Sequence, residues 1–112
     1  MKLNVHEIEV GFLYQTSDLQ YRAVLAMKED FVIYAPSIID NTALNLSNPQ
    51  AKMPFENQPY KKCQIATFAK KDYQLFCVDD TQTHHATKHP LNKRQLDEII
   101  AQCNAKSAIA TW

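Results

Sequence analysis

The sequence predicts an α+β fold in which a small, strongly curled antiparallel sheet carries a C-terminal helix packed on it. Two observations support this prediction. Residues 7–35 are short β-type segments separated by polar turns, and residues 91–104 have the apolar spacing of an amphipathic helix. With 112 residues, 46% of them hydrophobic, the chain has the size and apolar content of a single domain, residues 1–112. The β-rich core is predicted to span residues 7–78.

The first predicted element is an edge strand at residues 7–10, where glutamates alternate with apolar residues. This alternation places Ile8 and Val10 on one face of the strand. Gly11, the only glycine in the chain, follows directly. We expect it to occupy a turn or bulge where a Cβ atom would clash. The functional alternative is a stretch of backbone held open for a ligand.

Residues 21–35 are predicted to form a hairpin with a tight turn at residues 28–30. The second strand of this hairpin, residues 31–34, is β-branched and aromatic. In the first strand, alternation assigns one face to Tyr21, Ala23, Leu25 and Met27. It assigns the other face to Arg22, Val24, Ala26 and Lys28. Both faces are apolar in the middle, as expected of a curled sheet that is covered on both sides.

Residues 36–59 interrupt this pattern with four prolines and four asparagines. A loop of this length is often functional, and a surface excursion with one packed anchor is the alternative. The chain becomes regular again after residue 60, with a strand predicted at residues 73–78. A polar connector, residues 79–90, leads to the last element.

The C-terminal helix is predicted over residues 91–104. Asn92 and Gln95 have the spacing of a capping box, and Leu91 and Leu96 have the spacing of a hydrophobic staple across that cap. The apolar stripe consists of Leu96, Ile99, Ile100 and Cys103. It either covers the sheet or forms the seam of a homodimer.

Composition excludes several classes of protein. The formal net charge is zero, which gives no overall attraction to nucleic acid or to an anionic membrane. No apolar run is long enough to cross a bilayer, so no membrane association is expected. Three cysteines without CxxC spacing argue against a disulfide framework. We therefore expect a cytoplasmic, reduced protein.

No enzymatic signature is present, and neither catalytic residues nor a cofactor are predicted. A chain with one glycine cannot form a glycine-rich phosphate loop, and no GxSxG elbow occurs. Cys63 is the cysteine expected to be most exposed, whereas Cys77 and Cys103 fit a core. No oxyanion-hole signature accompanies any of them.

Candidate metal ligands are His84, His85 and His89, which follow Asp79 and Asp80. His85 and His89 have i, i+4 spacing, but Pro90 comes next and the stretch has the composition of a loop. We therefore interpret it as a polar connector and predict no metal.

Four short motifs carry a resemblance to a known family. They are Val10-Gly11-x-x-Tyr14, Tyr21-Arg22-Ala23-Val24-Leu25-Ala26, Phe31-Val32-Ile33-Tyr34 and Cys63-x-x-x-x-Phe68-Ala69-Lys70. Across residues 8–71 the chain resembles a loose group of small bacterial and phage proteins with SH3-like β-barrels. The resemblance implies a small barrel and brings no catalytic residues with it. The loop at 36–59 and the elements after residue 72 depart from the pattern and favour a decorated or α+β variant.

The first functional hypothesis is a small non-enzymatic binding module that acts through protein–protein contacts. An edge strand and an aromatic-lined groove of such a domain are ready surfaces for a partner. The predicted partner-binding residues are Tyr14, Tyr21, Tyr34 and Tyr60, with residues 36–59 as a variable contact element. By analogy, such a protein could be a phage- or mobile-element-encoded adaptor or inhibitor of a host protein.

The alternative hypothesis is a small barrel that binds nucleic acid. Lysines alternate with aromatic residues over residues 60–73, a composition suited to stacking bases beside a cationic groove. The basic residues predicted for this role are Lys61, Lys62, Lys70 and Lys71. Phe68 and Tyr73 would supply the stacking surfaces, unless they belong to the core.

Overall fold

The computed structural model describes residues 3–37, 48–77 and 84–112. Part of the predicted loop (residues 38–47) and Asp79 and Asp80 of the metal hypothesis lie outside the described residues. The strands are β1 (Phe12–Gln15), β2 (Tyr21–Lys28), β3 (Phe31–Pro36), β4 (Lys61–Gln64), β5 (Leu75–Cys77), β6 (His84–Ala86) and β7 (Lys88–Pro90). The helices are α1 (Ile65–Ala69), α2 (Lys93–Gln102) and α3 (Lys106–Ala110), preceded by a 3-10 turn at Val5–Glu7.

The predicted α+β class is confirmed by a five-stranded antiparallel sheet in the order β4-β3-β2-β1-β7. The predicted hairpin is also confirmed, because β2 and β3 pair around a turn at which Glu29 has a φ of 55°. The strand predicted at residues 7–10 is wrong. The Asn4 side chain accepts a hydrogen bond from the His6 N–H and caps the 3-10 turn, so the first strand begins only at Phe12.

Strong curling of the sheet is not observed. In the described chain, β4 and β7 are the two outer strands and do not pair with each other, so the sheet stays open. After α1 the chain does not add another strand to the sheet. It passes the end of β1, where the Gln74 N–H donates to the Gln15 carbonyl. It then forms a separate hairpin of β5 and β6. This hairpin packs over one face of the sheet instead of extending it to closure.

A β-bulge in β2 changes the predicted faces of that strand. The register with β3 shifts between Val24 and Ala26, so Leu25 and Ala26 both lie towards one face. Met27 consequently lies with Val24 on the opposite face. The alternation predicted for Tyr21 to Val24 holds, whereas the faces predicted for Ala26 and Met27 are wrong.

Both faces of the sheet are covered, which gives the protein three layers. The helical face carries Leu13, Leu25 and Ile33 and packs against α2 and against Met53 and Phe55. The aromatic face carries Tyr14, Val24 and Tyr34 and packs against α1, Tyr73 and Ala86. Coverage of both faces explains why the middle of β2 has no polar side.

The predicted C-terminal helix is confirmed as α2, with its capping box formed in both directions between Asn92 and Gln95. Ile99 is fully buried, and Leu96 and Ile100 pack against the same cluster. The apolar stripe therefore covers the sheet. The short helix α3, which was not predicted, follows a turn at Asn104 with a φ of 58°. Among the described residues, no helix has the length and apolar character needed to traverse a bilayer.

Gly11 has a φ of +86°, and a Cβ atom added there would meet no atom within 4 Å. The expected clash is therefore wrong, and the backbone conformation is what requires glycine.

We expect Gly11→Ala to lower the free energy of unfolding by about 1–2 kcal/mol, because a left-handed conformation is unfavourable for L-residues. Gly11→Asn should cost less, since asparagine tolerates this region better. Denaturant unfolding of both variants checks this, and equal losses would contradict it.

The capping box provides a second test. Asn92→Ala removes the side chain that accepts from the Gln95 N–H at 2.8 Å. We expect a loss of about 1 kcal/mol in the free energy of unfolding. Asn92→Ser keeps an acceptor at this position, so its free energy of unfolding should fall by at most a few tenths of the loss expected for Asn92→Ala. If the two variants were equally destabilised, the cap would not be the cause.

Candidate functional site

Three of the four tyrosines predicted to bind a partner are core residues. Tyr14, Tyr21 and Tyr34 are 0%, 8% and 6% exposed, respectively. The Tyr14 hydroxyl donates to the Glu7 carbonyl at 2.6 Å and accepts from the Glu9 N–H at 2.8 Å. These side chains therefore do not form an exposed partner surface in the folded protein. Sequence alternation could not show this, because the sheet is covered on both sides.

The rings of the aromatic face pack against one another. The Phe68 ring lies 5.9 Å from the Tyr14 ring and 5.0 Å from the Tyr34 ring, both edge to face. The Tyr73 hydroxyl donates to the Phe68 carbonyl at 2.7 Å. Phe68 and Tyr73 are thus buried and are not available for stacking on bases. The nucleic-acid hypothesis requires these rings to be accessible.

The four lysines of that hypothesis do not form one patch. Lys61 and Lys62 are consecutive residues of a strand, so their side chains leave on opposite faces. Lys62 lies over the rings of Phe31 and Trp112, at 5.7 Å and 5.0 Å from their centroids. Lys71 pairs with Asp18 at 3.6 Å. Lys70 is exposed at the end of α1.

The described titratable groups form no reactive or metal-binding cluster. Burial lowers the pKa of His89 and raises the pKa of the Cys63 and Cys103 thiols, which favours the neutral form of all three. In the part of the chain that the structure describes, no three His, Cys, Asp or Glu side chains are placed to hold a metal ion.

The outer edge of β4 carries backbone groups that point away from the sheet. The Ile65 N–H donates to the Asp30 carbonyl at 2.7 Å, so these two residues form a hydrogen-bonded pair. The pairs that follow along β3 and β4 keep the same register. Because bonded and non-bonded pairs alternate in an antiparallel ladder, Lys62 and Gln64 direct their N–H groups away from β3. Among the described strands, none pairs with this side of β4.

The opposite edge of the sheet offers fewer donors for such pairing. The Leu91 N–H donates to the Gly11 carbonyl and the Gln15 N–H to the Thr87 carbonyl, so Pro90 occupies an outward position of β7. Proline has no N–H to offer, and an edge proline is a common means of preventing strand addition. By the same alternation the Lys88 N–H also points outward, so β7 offers one outward donor whereas β4 offers two.

A groove lies at each end of β4. One groove, of about 430 Å³, is lined by Val5, Asp30, Gln64 and Ile65 among others. The other, of about 330 Å³, is lined by Ile33, Tyr60, Lys62 and Trp112 among others. Val5 and Phe31 are two of the exposed large apolar side chains of the described chain, at 43% and 38%. The edge therefore combines backbone donors with apolar surface at both ends.

Tyr60 is the one residue of the predicted partner-binding set that belongs to this edge. Its side chain is half-buried against the helical-face core and lines the groove near Trp112. Sequence analysis placed neither Trp112 nor the outer edge of β4. The available signals were the adjacent lysines of β4, typical of a guarded edge strand, and the proline of β7.

Comparison of the chain with protein-family models, with curated protein sequences and with solved structures finds no match. Evidence on function therefore comes from the geometry of this chain alone.

Burial of the tyrosines predicts a distinct alkaline behaviour. Desolvation raises the pKa of Tyr14 to about 12 and also raises the pKa values of Tyr34 and Tyr73. A phenol whose pKa is higher in the folded than in the unfolded chain stabilises the fold fully below a pH of about 10, and this contribution is lost as the pH rises towards the folded pKa. We expect stability to fall in this alkaline range.

The measurement is the ultraviolet absorbance of phenolate during an alkaline titration of native protein, with the chain in denaturant as the control. The native protein should show less phenolate than the denatured chain at every pH until it unfolds. Coincident titration curves while the fold persists would show that the tyrosines are exposed.

Proposed function

We propose that this protein is a non-enzymatic binding module that accepts an extended segment of a partner protein along β4. The observation that carries the proposal is the open edge of β4, with outward N–H groups at Lys62 and Gln64 and a groove at each end. Addition of a strand to a sheet edge supplies main-chain hydrogen bonds, and pockets for alternate side chains supply specificity.

The chemistry around β4 favours a particular kind of segment. Lys61 and Lys62 place a positive charge on each side of the added strand, so acidic side chains in the segment would face opposite charge. Apolar side chains would enter the groove beside Val5 and the groove beside Trp112. We therefore propose an extended partner segment that combines acidic and apolar residues.

A second copy of this chain fits the edge less well. Antiparallel pairing of two β4 strands would bring Lys61 and Lys62 of one copy close to the same residues of the other. Like charges placed opposite one another destabilise strand pairing. A heterologous partner is accordingly favoured over a homodimer through this edge.

Gln64→Pro tests the proposal with little change to the fold. Gln64 has a φ of −68°, which is the value that proline requires, and its N–H points away from β3. The variant should therefore retain its free energy of unfolding to within about 1 kcal/mol. It should bind the partner at least about tenfold more weakly, because it loses a hydrogen bond and places a ring in the path of the added strand. Gln64→Ala, which removes the side chain and keeps the N–H, is the matched control.

The measurement is affinity capture from a nuclease-treated cell lysate with the wild-type protein and both variants, with bound proteins quantified by mass spectrometry. The proposal expects a protein that is retained by wild type and by Gln64→Ala and depleted with Gln64→Pro. Equal capture by all three would show that β4 is not the binding edge. Recovery of nucleic acid alone from lysate without nuclease, lost at high salt, would favour the alternative hypothesis.

A further inference from the structure

Arg22 lies on the aromatic face with its guanidinium surrounded by rings. Its Cζ atom is 4.8 Å from the centroid of the Tyr34 ring, 5.7 Å from that of Phe68 and 6.0 Å from that of Tyr73. Three ring faces or edges so close to one cation restrict the positions that it can adopt. The guanidinium is therefore held in place by the core beneath it.

The hydrogen bonds of Arg22 leave much of its donor capacity unused. Its Nε donates to the Gln20 side chain at 3.4 Å and its Nη1 to the Tyr73 hydroxyl at 3.3 Å, both long for such bonds. No carboxylate of the described residues lies within ion-pair distance of it, and Nη2 has no hydrogen-bond partner among them. In the described chain, every fully buried side-chain nitrogen or oxygen has a hydrogen-bond partner. Because Nη2 has no partner, it is not fully buried and contacts solvent.

One further donor lies beside this guanidinium, and a lysine follows on the neighbouring strand of the same face. The Tyr34 hydroxyl forms no hydrogen bond with any described group and, by the same reasoning, is not fully sealed from solvent, although the residue as a whole is 6% exposed. Lys61 is the cross-strand partner of Tyr34 and is exposed, without an ion pair in the described chain. Asp18, an acid of the neighbouring turn, is already bonded to Thr16 and paired with Lys71.

We propose that Arg22, Tyr34 and Lys61 form a binding site for an oxyanion, that is, for a carboxylate or phosphate group. The site goes beyond the proposed strand addition, because it lies on the aromatic face and needs no partner strand. A guanidinium presents paired N–H donors that match the oxygens of either group. Tyr34 would add an O–H donor, and its raised pKa keeps that proton in place at neutral pH.

The energetic argument concerns charge without a counter-charge. A guanidinium that is half-buried among rings has lost part of its hydration, and no described acid compensates for this loss. An arriving oxyanion would supply the missing charge and would find donors that are already oriented. Little side-chain ordering would have to accompany binding, because the rings already hold the guanidinium.

The test is a titration of ¹⁵N-labelled protein with inorganic phosphate and, separately, with acetate, at constant ionic strength, followed by NMR shifts of the Arg22 Nε–H group and nearby amides. We expect saturable shifts confined to Arg22, Tyr34 and Lys61. Tyr34→Phe retains the ring and removes the hydroxyl, so it should weaken binding by about tenfold, the value of one hydrogen bond to a charged group. Lys61→Gln should weaken it severalfold, and Arg22→Gln should abolish it.

Lys70→Gln is the matched control, because it removes an exposed lysine outside the proposed site and should leave binding unchanged. Saturation with phosphate alone would assign a phosphate ligand, and saturation with acetate would assign a carboxylate. Shifts that do not saturate, or that are the same in wild type, Tyr34→Phe and Lys61→Gln, would overturn the proposal. Tyr34→Phe and Lys61→Gln leave Arg22 and its ring contacts in place, so they decide the outcome even if Arg22→Gln fails to fold. None of these outcomes depends on whether β4 accepts a partner strand.

Discussion

The central strands β2 and β3 are buried on both faces, and the remaining features of the molecule follow from this arrangement. Helix α2 and the segment around Phe55 cover the helical face, while α1 and Tyr73 cover the aromatic face. Most side chains of β2 and β3 are used for packing, with the half-buried Arg22 and the exposed Lys28 as polar exceptions. Surface for contacts with other molecules is consequently found at the backbone edges and at the rims of the two cores.

The two edge strands of the sheet limit the addition of a further strand in different ways. At β7, a proline removes one of the two outward donors, and the Lys88 side chain pairs with Glu9 at 2.8 Å beside it. At β4, protection comes only from the charge of Lys61 and Lys62, which discourages self-association without removing a single donor. Protection by charge is selective, since it excludes a second basic edge and admits an acidic one.

Sequence analysis succeeded where local physical chemistry decides the structure. The cap at Asn92 and the spacing of Ile99 specify α2 without reference to the rest of the chain, as the turn after Lys28 specifies the hairpin. It failed where distant contacts decide. The bulge after Val24, the open sheet and the burial of Tyr14 depend on what α1 and the β5–β6 hairpin cover, and the Asn4 cap outweighed the alternation at Ile8. Arg22 was assigned to the correct face, but its ring neighbours come from residues 12 to 51 positions away in the chain.

The position of Trp112 gives the edge an optical property of its own. It is the only tryptophan in the chain, and its ring lies over the Lys62 ammonium in the groove beside Tyr60. Indole emission depends on the polarity of its surroundings and on nearby charge. Tryptophan fluorescence of the unmodified protein therefore originates at one end of β4, and occupation of that groove would change its wavelength or intensity without any attached dye.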